Sequence, residues 1–186
     1  MTVYVNVNGV IHTASGSLTL ASVPKPAPSL PPRNNAEITP TLSAPTGGGH
    51  TAFATSEYSE AGITAAAWRA FNKQTGNGWA VGWSSTSQPS ASAPQILQID
   101  MPAAAPCYSY NLTNRSDANT LCPNTWTFEG WNGSAWSVLH SANSISFADG
   151  ETKAFNVTSP GVYSKYRWCV TAGGALCQIA EARVFS

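Results

Sequence analysis

From Gly47 onward the chain is a train of short runs in which apolar and polar residues alternate, each closed by a turn signal. In residues 95–101, Leu97, Ile99 and Met101 share one face, and Tyr108, Tyr110 and Leu112 do the same further on. Trp126 and Phe128 alternate up to the turn Gly130-Trp131-Asn132-Gly133, and Trp136 and Val138 alternate back. Residues 144–147 meet Asp149-Gly150 before a run over 152–157, and Tyr166, Trp168 and Val170 lead through Gly173-Gly174 into 178–185. A period of two buries one face of each strand and leaves the other wet, so such strands need a second layer to cover them. Short strands at this spacing predict an antiparallel β-sandwich. Only residues 63–73, with Ala65-Ala66-Ala67-Trp68-Arg69-Ala70, allow one or two helical turns.

Two segments precede this region. In residues 1–20, Val3, Val5 and Val7 oppose Thr2, Tyr4 and Asn6, and Asn8-Gly9 separates them from Val10-Ile11-His12-Thr13. Asn-Gly between alternating runs predicts a β-hairpin, because a type I′ turn needs positive φ at both central residues. Residues 17–20 offer a third strand. Residues 21–46 hold seven of the 13 prolines and read as an extended, proline-rich spacer with no core of its own. The expected division is a hairpin anchor over 1–20, a linker over 21–46 and a sandwich domain over 47–186. The N-terminus has neither a basic stretch nor an apolar one after it, so it does not read as a secretory signal. The expectation is folding in a cytoplasm, where four Asn-x-Ser/Thr triplets at Asn111, Asn114, Asn132 and Asn156 are chance matches.

Nine basic and nine acidic side chains cancel, leaving no long-range field to gather nucleic acid or an anionic membrane. No run approaches 18 apolar residues, so no transmembrane helix is expected. His12, His50 and His140 are scattered, and no metalloprotease, nucleophile-elbow or phosphate-loop motif occurs. None of the acids sits in a recognisable catalytic setting, so the chain reads as non-enzymatic, a glycan-cleaving pair of carboxylates being the alternative. Cys107, Cys122, Cys169 and Cys177 lack the spacing of a zinc site. Cys169 faces Cys177 across the last hairpin and Cys107 and Cys122 bracket 108–121, so both pairs are disulfide candidates; buried thiols are the favoured reading, given a cytoplasmic origin.

Residues 47–186 resemble the discoidin, or coagulation-factor type C, family of galactose-binding-like jelly rolls. Ser56-Glu57-Tyr58-Ser59 and then Ala67-Trp68-Arg69-Ala70-Phe71-Asn72 are similar to the family's early loop and its "A-F-D-G" turn, and Gly78-Trp79 to the Trp that follows. Residues 95–100 resemble its "W-L-Q-V-D-L" strand, with Gln95 in place of Trp. Residues 123–130 with Trp136-Ser137-Val138-Leu139 match the strand pair after it, and Tyr163–Arg167 and 178–185 match the family's last two strands. The wording is closest to copies in bacteriophage tail and other virion proteins. The resemblance implies an all-β antiparallel jelly roll behind a hairpin and a proline-rich linker, in a virion protein made in the host cytoplasm.

Relatives bind sugars, lipids or proteins through loops at one end of the sandwich. A glycan site pairs a flat aromatic face, which stacks on the apolar C–H side of a sugar, with fixed polar groups for its hydroxyls. Trp83, in a loop with no strand period, ranks first; Trp131, at a hairpin tip, second; Tyr58 third. Trp79, Trp126, Trp136 and Trp168 read as core. Arg115 and Asp117, in the polar loop 113–119, are the candidate polar partners. Many relatives hold a structural Ca²⁺ with the Asp of "A-F-D-G" and a Glu of the last strand. Here those positions are Asn72 and Glu181, with Lys73 where Gly usually stands, so calcium is at most a weak tenant. The reading is a virion protein, on tail, baseplate or head, that displays a glycan-binding jelly roll to a host surface polysaccharide and joins other virion subunits through residues 1–46. Weak single sites call for several copies, so a homo-oligomer, trimer favoured, is expected. The alternative is a decoration or cement protein using the same fold for subunit contacts.

Overall fold

The computed structural model of the chain describes residues 2–7, 10–15, 29–78, 80–117 and 119–186, the first two stretches as backbone. The third strand expected over 17–20, the prolines Pro24, Pro26 and Pro28, and Trp79 lie outside the described residues. In chain order the strands are β1 (Thr2–Val7), β2 (Val10–Ser15), β3 (Thr46–Gly47), β4 (His50–Ala54), β5 (Ser59–Glu60), β6 (Ile63–Thr64), β7 (Trp83–Ser84), β8 (Gln95–Thr113), β9 (Pro123–Trp131), β10 (Trp136–Ala142), β11 (Thr152–Gly173), β12 (Gln178–Ile179) and β13 (Glu181–Phe185). The Ala-rich segment forms a 3-10 turn over Ala67–Phe71. As the alternation and Asn8-Gly9 predict, β1 and β2 are an antiparallel hairpin, with Val7 opposite Val10.

Two long strands build both layers. The first half of β8 pairs with the second half of β11, Leu97 opposite Trp168 and Ile99 opposite Tyr166. Both strands then bend, with register shifts between Asn156 and Gly161 and between Tyr163 and Lys165. Beyond the bend, Ser109–Thr113 lie between the start of β11 on one side and β13 on the other. One layer therefore runs β10-β9-β11-β8-β4-β3, and the second joins the other halves of β11 and β8 to β13. All labelled pairings are antiparallel, as the sandwich reading requires.

The core between the layers is aromatic. Tyr110 of the second layer meets Phe128 and Trp168 of the first, with ring centroids 4.3 Å and 5.9 Å apart. Phe128 stacks on Tyr166 at 5.8 Å and 10°. Each such pair adds about 0.5–1.5 kcal/mol beyond the area it buries. The Trp126 indole N–H donates to the Tyr110 hydroxyl at 2.8 Å, and that hydroxyl lies 2.8 Å from Nδ1 of His140, whereas the buried Trp168 indole N–H makes no hydrogen bond among the described residues. Trp126 and Trp168 are thus core, as expected.

The spacer reading of 21–46 does not hold for its second half. Leu42 is 2% exposed and its N–H donates to Phe71 O at 2.9 Å. The Ile38 N–H donates to Val184 O at 2.8 Å, the Ser186 N–H to Ala36 O at 2.9 Å, and Glu37 bridges to Phe185. Arg33 reaches Asn156 Oδ1 and Ser109 Oγ, each at 3.2 Å. The reason is that β13 is an edge strand whose free N–H and C=O groups need a partner. Proline is no bar to such a strap, because the N–H donors here are Asn34, Ile38 and Leu42, while Pro31 and Pro45 only accept, at their carbonyls, from the Tyr108 hydroxyl and the Ala52 N–H.

Candidate functional site

The connections leaving β4, β10 and β11, and those entering β8 and β9, gather at one end of the sandwich. Four of the five candidate sugar contacts belong there, and the structure gives the side chains of three of them, Trp83, Arg115 and Asp117, other work. Trp83 is wholly buried, and its indole N–H donates to Ser56 O at 2.8 Å. The lack of strand period around residue 83 does not mean exposure, because two-residue β7 pairs with β12 and sets Trp83 opposite Ile179. Gly82 makes this possible: a Cβ there would stand 2.2 Å from Ile179 O. Trp83 is therefore a core residue and not a stacking platform. Tyr58 is half-buried, and its backbone joins β7 to the segment before the 3-10 turn, through Tyr58 N to Ser84 O and Ala65 N to Tyr58 O, both 2.8 Å.

Arg115 and Asp117 come together as proposed, but they bind each other. Nε and Nη2 of Arg115 donate to the two carboxylate oxygens of Asp117 at 3.0 and 2.9 Å. The Gly78 N–H adds a bond to Asp117 at 3.1 Å, and Arg115 O accepts from Gly150 N at 3.0 Å, so three loops are tied in one knot. Arg115 is 4% exposed, which makes it a buried tether and not a solvated fork. Burial alone would raise the Asp117 carboxyl; the Arg115 and Gly78 bonds outweigh it and hold the group below its usual range.

Trp131 lies at the opposite end, and here the structure assembles a site. It faces Trp136 across the β9–β10 hairpin, ring centroids 5.4 Å apart at 54°. Asn132 fixes the turn, its Oδ1 accepting from Ser134 N, Ala135 N and Ser134 Oγ at 2.9–3.0 Å. Across the sheet Trp131 neighbours Lys165, which neighbours Asp100. The Lys165 ammonium donates to Asp100 at 2.5 Å and the Gln98 amide to the other oxygen of Asp100 at 2.6 Å. Arg167 stacks 4.0 Å from the centre of the Trp136 ring and donates to Glu129 at 2.7 Å, so it fixes this indole and covers one of its faces. Gln98, Trp131, Trp136 and Lys165 line an open hollow of about 330 Å³. Trp136 is half-buried and belongs to this site, not to the core. Sequence reasoning missed Gln98 and Lys165 as well; the signal was the row in which Trp136, Trp131, Lys165 and Asp100 fall side by side once the strands are paired.

Two other hollows compete. One of about 320 Å³ at the loop end is lined by Thr120, Cys122, Asn124, Ile145, Ser146, Ala172, Gly173 and Gly174 and offers no aromatic ring. Another of about 370 Å³ contains Trp68 with Arg69, Asn72 and Gln74, but the Arg69 guanidinium sits 4.6 Å over the Trp68 ring while bonded to Thr64 O and Ala80 O, and so covers that face.

The proposed calcium residues are engaged elsewhere. Asn72 Oδ1 accepts from Gln74 N at 2.9 Å, and Glu181 Oε2 accepts from Lys73 N at 2.9 Å. Burial raises the Glu181 carboxyl to about 7, against the opposing pull of Lys73 and Arg183. Among the described residues no three His, Cys, Asp or Glu side chains cluster as a metal site. Neither cysteine pair forms a disulfide: all four remain thiols. Cys169 is half-exposed, opposite Thr127 and Ile96, whereas Cys177 is fully buried, so the two do not share a face. Burial pushes the Cys107 thiol up to about 12 and that of Cys177 higher still, which suits inert packing groups.

No family model matches the sequence, and no curated protein matches it. Solved structures do. A family 32 carbohydrate-binding module from Clostridium perfringens, in complex with GalNAc-β-1,3-galactose, is similar with TM-score 0.64 at 16% identity, over 81% of this chain and 100% of that one. A second family 32 module from C. perfringens, in complex with galactose, gives 0.59 at 20% identity over 74% and 93%. A Streptococcus pneumoniae fucose-binding module gives 0.60 at 16% identity over 81% and 95%. This chain therefore has the β-sandwich fold of the family 32 carbohydrate-binding modules, the galactose-binding-like architecture that its motifs resemble.

Proposed function

We propose that this chain is a non-catalytic glycan-binding module and that it takes its sugar at Trp131 and Trp136. The observation that carries the reading is the pair of half-buried indoles, 5.4 Å apart, walling a hollow that also presents the Gln98 amide and Lys165. Apolar C–H faces have rings to stack on, and hydroxyls have an amide and an ammonium whose positions Asp100 fixes. Lys165 pairs with Asp100 and Arg167 with Glu129, so the site is electrically balanced and suits a neutral sugar. Support comes from the fold's neighbours, solved with GalNAc-β-1,3-galactose, galactose and Lewis b. The setting we propose is a virion protein gripping a host surface polysaccharide in several copies; this rests on the phage-like wording of the motifs and on the hairpin that precedes the sandwich.

The test is a glycan array followed by titration of the best ligand against the wild type, Trp131→Ala and Trp136→Ala. A stacking contact of about 1 kcal/mol or more predicts at least a several-fold loss of affinity in each variant with folding retained. Unchanged affinity in both would remove the site. A second reading, contact between subunits, draws on Phe53 and Val138, which are 51% and 52% exposed at the two edges of the same sheet face. It predicts that Phe53→Ser and Val138→Ser change the sedimentation coefficient and leave sugar binding alone.

A further inference from the structure

We infer that Lys73 is a built-in cation: its ammonium takes the place that the resemblance gives to calcium and fastens the strap of residues 33–42 to the sandwich without metal. The Glu181 side chain has no exposed surface, yet it carries an ionisable carboxyl group. Such a group needs a positive partner. Its Oε1 lies 3.4 Å from the Lys73 ammonium and 3.7 Å from Nε of Arg183, and its Oε2 accepts the Lys73 N–H. The same ammonium pairs with Glu37 and lies 3.3 Å from Thr39 Oγ1, which donates to Glu37 at 2.6 Å. One side chain therefore joins the strap, the loop after the 3-10 turn and the last strand.

The donor set does not fit calcium. That ion takes six to eight oxygens and prefers charged ones. Glu181 already faces an ammonium and a guanidinium, Asn72 is neutral, and its Oδ1 is spent on the Gln74 N–H. A divalent ion entering here would meet a positive charge on the very oxygen it needs. The backbone makes the same point from another side. Lys73 has φ 63°, a left-handed conformation that favours glycine over any residue with a Cβ. Local preference thus argues against lysine, and what the side chain reaches argues for it.

This gives a test in which backbone and ammonium predict opposite signs. On the full chain, Lys73→Gly relieves the left-handed strain and removes the charge. If only the backbone matters, the melting temperature rises; the built-in cation predicts that it falls by several degrees, and that Lys73→Met, which keeps the stem, falls too. For the wild type, chelator followed by about 5 mM Ca²⁺, well above the affinity range of weak extracellular calcium modules, should move the melting temperature by less than about 1 °C. Asn72→Asp combined with Lys73→Gly should create a calcium-dependent rise that the wild type lacks. A wild-type melt lowered by chelator and restored by Ca²⁺ overturns the inference, as does a Lys73→Gly variant at least as stable as the parent. A double variant that folds and ignores Ca²⁺ shows that the ammonium does not stand in a cation's place. Should the double variant fail to fold, the wild-type melts and the two single variants still decide.

Discussion

Trp83→Ala separates a core tryptophan from a sugar platform, and the structure sets the size of the effect. The ring has no exposed surface, Gly82 brings the backbone against Ile179 and Ala180 beside it, and the indole N–H holds Ser56 O at 2.8 Å. Truncating a buried aromatic to alanine costs about 3–5 kcal/mol through lost transfer energy and the cavity left behind. Trp83→Phe keeps most of the apolar volume but orphans the Ser56 carbonyl, at about 1–3 kcal/mol. With a urea m-value of about 2 kcal/mol/M, the midpoint should fall by about 2 M for Ala and by about 0.5–1.5 M for Phe. Equilibrium urea unfolding followed by far-UV circular dichroism reads both. Sugar affinity of whatever fraction stays folded should match the wild type, because the ring is remote from the Trp131–Trp136 hollow. A Trp83→Ala variant with an unshifted midpoint and weakened sugar binding would refute the reasoning and return Trp83 to the surface.

Residues 1–30 should be dispensable for the melting temperature, whereas removing 1–46 strips Leu42 and Ile38 from the core and should lower it sharply; Leu42→Ala alone should cost about 2–5 kcal/mol in the same thermal melts. The Asp117 carboxyl titrates below its unfolded value of 3.8, so its stabilisation is complete above that value and fades as pH falls through the folded one. Asp117→Asn should therefore melt below the wild type at neutral pH and converge with it as the pH falls below 3.8, a trend that melting curves across pH would check.

Most of the layered architecture was legible because it depends on period two alone. Leu97 and Ile99, or Trp126 and Phe128, share a face in any pleated strand, and those faces are the ones buried. The pairing of β1 with β2 was legible for the same local reason. The strap was not. Ile38 and Leu42 are isolated apolar residues in a proline-rich stretch, and what holds them lies far along the chain: Ile38 bonds to Val184 on the edge of β13 and Leu42 to Phe71 at the end of the 3-10 turn. Nor was it visible that β8 and β11 are single strands bent through both layers, since alternation continues across a bend and says nothing of its direction.

The site residues fail in the sequence for a reason that can be stated strand by strand. Composition and local pattern distinguish a ring on a strand from a ring in a loop, and the natural inference puts the loop ring outside and the strand ring inside. Trp83 and Trp136 reverse both halves of that inference. A two-residue bridge to β12 draws Trp83 inward, while Trp136 ends up on the outer face, because alternation from Trp126 and Phe128 puts Trp131 out of the core and the hairpin then sets Trp136 directly opposite it. The register of a hairpin four residues long decides this, and the Asn132 side chain fixes that register through its three bonds to the turn. Lys165 and Gln98 join only when β11 is laid beside β9 and β8 beside β11, which brings residues 30 and more apart into neighbouring rows of one sheet face. The polar half of a stacking site is thus a property of strand order, and the aromatic half of one turn. In this chain the pair of rings facing each other across a short hairpin is exposed to the hollow, while the ring in the long loop is buried by its bridge to β12.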